Sequence, residues 1–258
     1  MADHPVVAGA PYPGAPATYA QARLAGVELR PSRWGMADIA ISIVLALFVP
    51  IPMLSLVVAA GAPLKGSAVL LGSAVLPWLG FGLWPWFTTR LQGNGARIDL
   101  GFSIEWIDLA WGLAGGIACF VLGTLAAMAT SYFFGEFDSA AGAAVLGADV
   151  PRVVVVIFAI AALVGAPVFE ELCFRGLAFA AIARWADRHG LRAVPWATVG
   201  AAVLFSLMHL EPVRLPVLLT IGLVLSLLRA RTGRVGAGII AHAFNNLWGV
   251  IGILTVTA

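Results

Sequence analysis

The chain has 258 residues, of which 61% are hydrophobic and only 11% are charged; its mean hydropathy is +0.97. Apolar runs of about 20 residues recur often enough to cross a bilayer several times, which excludes a soluble domain with a single core. The small formal net charge of +2 and the scattered arginines exclude a nucleic-acid-binding surface. The composition predicts an all-α, polytopic transmembrane helical bundle.

The first 35 residues differ from the rest, because Pro5, Pro11, Pro13 and Pro16 interrupt a small, polar stretch without apolar periodicity. Such a stretch is typical of a disordered tail, which leaves 36–258 as the membrane domain. A cleavable signal peptide would begin with a basic region and a short apolar core. Here Arg23, Arg30 and Arg33 precede an apolar run that is long enough to stay in the membrane.

Apolar length and periodicity then predict about seven membrane helices, at 37–60, 68–88, 110–134, 152–185, 195–210, 214–229 and 236–256. The fourth helix, with about 34 residues, is longer than a span requires, whereas the fifth and sixth, with about 16 residues each, are short. The turn between these two short helices, at Glu211 and Pro212, is therefore expected to line an internal cavity.

The predicted connections alternate in charge. The tail and every second connection hold eleven basic residues, and the other side holds three, which are Lys65, Arg152 and Arg214. Because basic residues are retained in the cytoplasm, this bias predicts a cytoplasmic N-terminus and an external C-terminus. Fourteen arginines against one lysine are typical of a GC-rich bacterial genome, so the expected location is a bacterial plasma membrane.

Charged residues interrupt the fourth predicted helix at Glu170, Glu171 and Arg175. A charge at membrane depth costs a few kcal/mol on insertion scales and marks a functional site by default. Glu171 and Arg175 are i and i+4 in the favourable order, so Arg175 is expected to neutralise and orient Glu171. Glu170 is turned about 100° away and becomes the candidate general base. A purely structural ion network is the alternative, although it does not require the second carboxylate.

Three further polar residues accompany these charges. His209 ends the fifth predicted helix and could share a water with Glu170, while His242 and Asn246 lie one turn apart on the seventh helix. The latter two share a helix face and could donate hydrogen bonds to a developing oxyanion. Alone, each histidine is typical of a packed core and Asn246 of an interhelical hydrogen bond. Together with the glutamates they are the parts of a hydrolase.

These groups resemble the motifs of the type II CAAX prenyl protease family, also called the CAAX-protease and bacteriocin-processing family of intramembrane endopeptidases. Its motifs EExxxR, FxxxH and HxxxN occur in order as Glu170-Glu171…Arg175, Phe205…His209 and His242…Asn246. The resemblance covers a catalytic core of about 150–250, whereas the earlier helices are matched only as generic spans.

The resemblance implies a role for each of these residues. Glu170 and His209 would activate the water. His242 and Asn246 would support the tetrahedral intermediate, and the Glu171–Arg175 pair would hold the site. The implied substrate is a peptide or membrane protein, with or without an attached lipid, in contact with membrane lipids.

Zinc is the main chemical alternative, since the family has been described both as metal-dependent and as glutamate-dependent. Glu170, His209 and His242 offer one carboxylate and two imidazoles, which is compatible with a catalytic zinc. The chain has no HExxH motif, however, and no separate general base unless Glu171 leaves Arg175. A metal-free glutamate base without cofactor is therefore preferred.

Other readings of the polar residues are weaker. Cys119 and Cys173 lie in apolar segments and are expected to be free thiols, and a cysteine nucleophile is disfavoured. A non-catalytic immunity or scaffold protein could keep the same fold. A small transporter could use the buried charges for ion coupling, although no inverted repeat is visible in the sequence.

Overall fold

A computed structural model describes residues 9–257, which form helices and no strand. The helices are α1 (Ala17–Leu24), α2 (Met36–Ala59), α3 (Ser67–Gln92), α4 (Ala96–Asp99), α5 (Trp106–Phe134), α6 (Ala140–Leu146), α7 (Arg152–Arg188), α8 (Ala193–Met208), α9 (Leu215–Thr232) and α10 (Gly236–Val256). Within this range six helices are long and apolar enough to cross a membrane, and α8 is a shorter apolar helix. The predicted all-α membrane bundle is confirmed, and the chain is an integral membrane protein. Of the two helices expected to be short, only the fifth is: the sixth runs over Pro212–Thr232, 21 residues, because the helical segment extends beyond the predicted 214–229 at both ends.

Small residues allow α5 and α10 to pack closely. A β-carbon at Gly112 would lie 2.6 Å from Ile240, and one at Gly116 would lie 2.7 Å from the Phe244 side chain. Neither position can therefore carry a larger side chain without moving the neighbouring helix. Gly112 and Gly116 form a GxxxG motif, which thus packs two helices of the same bundle together.

Backbone and side-chain contacts place the connections at two ends of the bundle. The basic connections meet at one end, through hydrogen bonds from Ala17 N to Gly233 O (2.9 Å), Arg33 N to Gln92 O (2.8 Å) and Val235 N to Gly101 O (3.0 Å). The three basic residues of the opposite end lie in connections that are also in mutual contact, from Asp149 N to Lys65 O (3.2 Å), Ala140 N to Glu211 Oε2 (3.0 Å) and Arg152 Nη1 to Thr257 O (2.8 Å). The predicted segregation of charge is therefore present in the fold.

The N-terminal segment differs from the expected disordered tail over its described part, residues 9–35. Ala20 of α1 is fully buried, and Thr18 Oγ1 donates to Ile98 O at 3.1 Å. The Trp34 indole is buried and donates from Nε1 to Asp99 Oδ2 at 3.0 Å, and burial raises the pKa of Tyr12 to about 12. These contacts depend on small residues and single hydrogen bonds, which leave no apolar periodicity in the sequence. Residues 1–8 of the predicted tail lie outside the described residues.

Two π-helical turns interrupt α7, at Ala161–Gly165 and Leu172–Ala178. The first lies directly before Pro167, whose ring cannot donate a backbone hydrogen bond and crowds the preceding turn. A wider turn accommodates the proline while the helix continues. The α-helical segment between the two turns, Ala166–Glu171, carries both glutamates.

Candidate active site

Glu171 points into the bundle and is fully buried. Its Oε1 accepts a hydrogen bond from Arg175 Nη1 at 2.8 Å, which is the i, i+4 pair expected from the sequence. Nη2 of Arg175 donates to Gly222 O on α9 at 3.1 Å, and the guanidinium lies 4.4 Å from the centre of the Phe205 ring. The arginine thus links α7 to α8 and α9 while it neutralises Glu171.

His242 on α10 also contacts this buried carboxylate. Its Nδ1 lies 3.2 Å from Glu171 Oε1, and because an ionised carboxylate only accepts hydrogen bonds, Nδ1 carries the hydrogen. The other ring nitrogen, Nε2, lies 3.8 Å from Glu170 Oε2, which is too far for a direct hydrogen bond. Glu171 therefore sets the orientation of the imidazole, and the imidazole presents Nε2 to Glu170.

Glu170 faces a large cavity, away from its neighbour. The cavity has a volume of about 950 Å³ and is lined by Glu170, His209, His242 and Asn246, but not by Glu171 or Arg175. The Glu170 side chain is 18% exposed, and its Oε2 has no hydrogen-bond partner among the described residues. The two adjacent glutamates thus have different environments, one paired in the bundle and one open to the cavity.

His209 follows the last residue of α8 and lies on the cavity wall. Its Nδ1 is 2.8 Å from Phe205 O, and since a carbonyl oxygen only accepts, Nδ1 carries the hydrogen and Nε2 of the neutral ring is an acceptor. Among the described residues no carboxylate lies within ion-pair distance of His209. The structure thus places His209 in the same cavity as Glu170 without a direct contact.

Phe205 separates the two imidazoles. Its ring centre lies 4.6 Å from that of His209 and 5.7 Å from that of His242, with edge-to-face geometry in both cases. The ring contacts three of the candidate site residues, because it also lies under the Arg175 guanidinium.

Asn246 lines the cavity and joins α10 to α7. Its Nδ2 donates to Ala162 O at 3.0 Å, and Ala162 belongs to the first π-helical turn. The interhelical hydrogen bond that was the alternative interpretation of Asn246 is therefore present. The amide has a second N–H, so this contact leaves one donor for the cavity.

The turn after α8 closes one side of the cavity, as expected for Glu211. Glu211 Oε2 lies 2.6 Å from Arg214 Nη1 and accepts from Ala140 N at 3.0 Å, and all three residues line the cavity. The short helix α6 is in this way attached to the segment that carries His209.

The donor atoms of this site do not fit a metal centre in the observed arrangement. Among residues 9–257 no three His, Cys, Asp or Glu side chains are close enough together to hold a metal ion, and Nδ1 of each site histidine already has a protein acceptor. The proposed zinc ligands Glu170, His209 and His242 therefore do not converge. Both cysteines are free and buried, as expected, and Cys173 Sγ lies 3.2 Å from Ser42 Oγ and does not line the cavity.

Three other contributors could not be recognised in the sequence. Gly222 supplies a carbonyl oxygen to Arg175, and Gly238 leaves the space that the Glu171 carboxylate occupies. The basic connection predicted at 229–234 includes Arg229, but this residue lies inside α9, is 1% exposed, and donates from Nε to Arg175 O at 2.8 Å. That carbonyl belongs to the second π-helical turn, where the regular helical acceptor pattern is shifted.

Comparison with known protein families gives a match in the C-terminal part of the chain. Residues 152–248 match the family described as type II CAAX prenyl endopeptidase Rce1-like. No curated protein and no solved structure matched the chain. The matched segment runs from the start of α7 into α10 and contains all three motifs, so the resemblance inferred from them is confirmed.

Proposed function

We propose that this Rce1-like membrane protein is an endopeptidase that hydrolyses peptide bonds at the membrane with a water activated by Glu170 and His209. The family match supports a CAAX-type intramembrane endopeptidase in general. One observation supports the assignment of residues: Glu170 lines a cavity of about 950 Å³, and its buried Oε2 has no hydrogen-bond partner among the described residues, with His242 Nε2 3.8 Å away.

Glu170 is the general base in this proposal. A water in the cavity beside the Glu170 carboxylate lies close to His242, whose Nε2 is 3.8 Å from Glu170 Oε2. His209 lies in the same cavity with Nε2 as an acceptor in its neutral form, so it can orient the same water. The water attacks the substrate carbonyl and gives a proton to Glu170, which later transfers it to the leaving amine.

His242 and Asn246 stabilise the oxyanion that forms on the carbonyl. His242 donates from Nδ1 to Glu171, so it can donate from Nε2 as well only as the imidazolium. The free N–H of Asn246 supplies a second donor, and donors of this kind stabilise an oxyanion by about 3–4 kcal/mol each.

The proposed substrates are peptides or membrane-protein segments, with or without a lipid. The wall of the cavity is largely apolar, with Trp78, Phe81, Leu218 and Ile221 among its residues. Such a wall suits segments that are partly embedded in the bilayer. The proposed orientation has the N-terminus in the cytoplasm of a bacterial cell.

The test compares protein termini in membranes and medium from deletion cells that express either wild type or Glu170→Gln. New termini that depend on Glu170 are expected. Glu136→Gln makes the same change on an exposed loop residue and should retain every wild-type cleavage. Identical termini in wild type and a stably expressed Glu170→Gln would contradict proteolysis. If Glu170→Gln complements the deletion strain as well as wild type does, a non-catalytic scaffold is favoured. If the purified protein moves substrate into proteoliposomes, a transporter is favoured.

A further inference from the structure

Two glycines of α10 differ from the other helical glycines of the bundle. Gly112, Gly116 and Gly238 each leave room for a neighbouring helix or side chain. At Gly249 and Gly252, in contrast, no described atom lies within 4 Å of an added β-carbon. Both glycines line the large cavity, so the space above them is open cavity.

Gly249 lies on the helix face that carries the candidate active site. It follows His242 by seven residues, which is two turns and about 10 Å along the axis, and follows Asn246 by one turn. An extended peptide advances about 3.3 Å per residue. A peptide bound with its scissile bond at His242 therefore places a side chain two or three residues away over Gly249.

The surrounding wall is also built from small residues. The lining of the cavity also includes Ala140, Ala141 and Ala144 of α6 and Ala161 and Ala162 of α7. Both of these segments contact α10. The open volume beside the catalytic groups is apolar and large enough for a side chain that the protein itself does not supply.

We infer that Gly249, with Gly252, forms a subsite for a bulky apolar side chain of the substrate, two or three residues from the scissile bond. This inference rests on the proposed endopeptidase function and assigns its side-chain specificity. A large substrate side chain buries apolar surface there, whereas a small one leaves the space unfilled. We expect kcat/KM to be about 10- to 100-fold higher for substrates with the large side chain than for substrates with the small one.

The test uses the purified full chain in detergent micelles and a library of amine-blocked peptides made by digesting a membrane proteome. Sequencing of new termini gives the residue preference at each position around the cut. Wild type should prefer Phe, Leu or Met at one position two or three residues from the cut. In Gly249→Leu the enrichment of Phe, Leu and Met at this position should fall about tenfold, and Ala, Ser or Gly should be favoured instead. Gly249→Ala should give an intermediate profile.

Matched variants separate the subsite from general damage. Ile251→Phe adds bulk at an exposed position of the same helix that does not line the cavity, and should keep the wild-type profile. Leucine favours a helix more than glycine does, so Gly249→Leu is expected to fold. If Gly249→Leu does not accumulate, Gly252→Leu provides a second test of the same prediction. Unchanged preferences in the filled variants would overturn the subsite alone. Absence of any cut that depends on Glu170 in wild type would overturn the proposed function and the subsite with it.

Discussion

Oε2 of Glu171 occupies the space into which a side chain at residue 238 would project, and only glycine at that position leaves it free. Glu171 is held on its other side by Arg175 at 2.8 Å and by His242 at 3.2 Å. The carboxylate therefore cannot move away from α10 without losing one of these partners. Because Gly238 has no side chain, the Glu171 carboxylate can occupy this position, and from there it orients the His242 imidazole.

Gly238→Ala is expected to lower kcat/KM for peptide cleavage by about 100-fold, because displacement of a site group by about 1 Å has an effect of that size. The membrane fold should persist, since the clash is with the end of one side chain. Cleavage rates and thermal unfolding in micelles provide the measurement. Gly249→Ala, the same substitution in open space on the same helix, is the control for stability, and a wild-type rate in Gly238→Ala would contradict the role given to Glu171.

The three contacts of Arg175 predict that lysine cannot replace it. Lysine keeps the charge but lacks the planar fork that reaches both Glu171 and Gly222 O and lies against Phe205. Arg175→Met removes the charge, and breaking a buried pair in this way costs about 3–5 kcal/mol. We expect the thermal midpoint to fall from wild type through Arg175→Lys to Arg175→Met.

The Glu211–Arg214 pair supplies the control for this series. Its side chains are 14% and 21% exposed, and partly exposed pairs contribute only about 0–1 kcal/mol. Arg214→Lys should therefore leave the midpoint nearly unchanged. Equal midpoints for wild type and the two Arg175 variants would show that this buried cluster does not stabilise the fold.

Features that depend on residue spacing within a single helix could be predicted from the sequence. The membrane helices follow from apolar length, and the Glu171–Arg175 pair follows from i, i+4 spacing. The different environments of Glu170 and Glu171 follow from the same geometry, because adjacent helical residues point about 100° apart. These arguments need no knowledge of how the helices are arranged.

Contacts between helices could not be predicted in this way. The bond from Asn246 to Ala162 O depends on a π-helical turn in α7, and periodicity assumes a regular helix. The burial of Arg229 depends on Arg175 O, a backbone atom in the second such turn. The docking of α1 depends on individual small residues. Each of these features is set by a partner far away in the sequence.

The orientation of the bundle is tested by a reporter fused after Ala258. Alkaline phosphatase at this position should be active, because the C-terminus shares an end with the connections that hold only three basic residues. The same reporter inserted after Gly190, in the basic connection between α7 and α8, should be inactive. An inactive fusion at Ala258 together with an active one at Gly190 would show that the predicted orientation is wrong.

Metal removal distinguishes the two chemistries proposed for this site. With Glu170 as a metal-free base, chelation by EDTA or 1,10-phenanthroline should leave peptide cleavage unchanged, and added zinc should not increase it. Loss of cleavage on chelation, with recovery on zinc but not magnesium, would favour zinc bound by Glu170, His209 and His242. That outcome would require the three side chains to move together from the observed arrangement. Since Glu170→Gln removes a base in one case and a ligand in the other, the substitution abolishes activity in both, and only the response to chelation and zinc separates them.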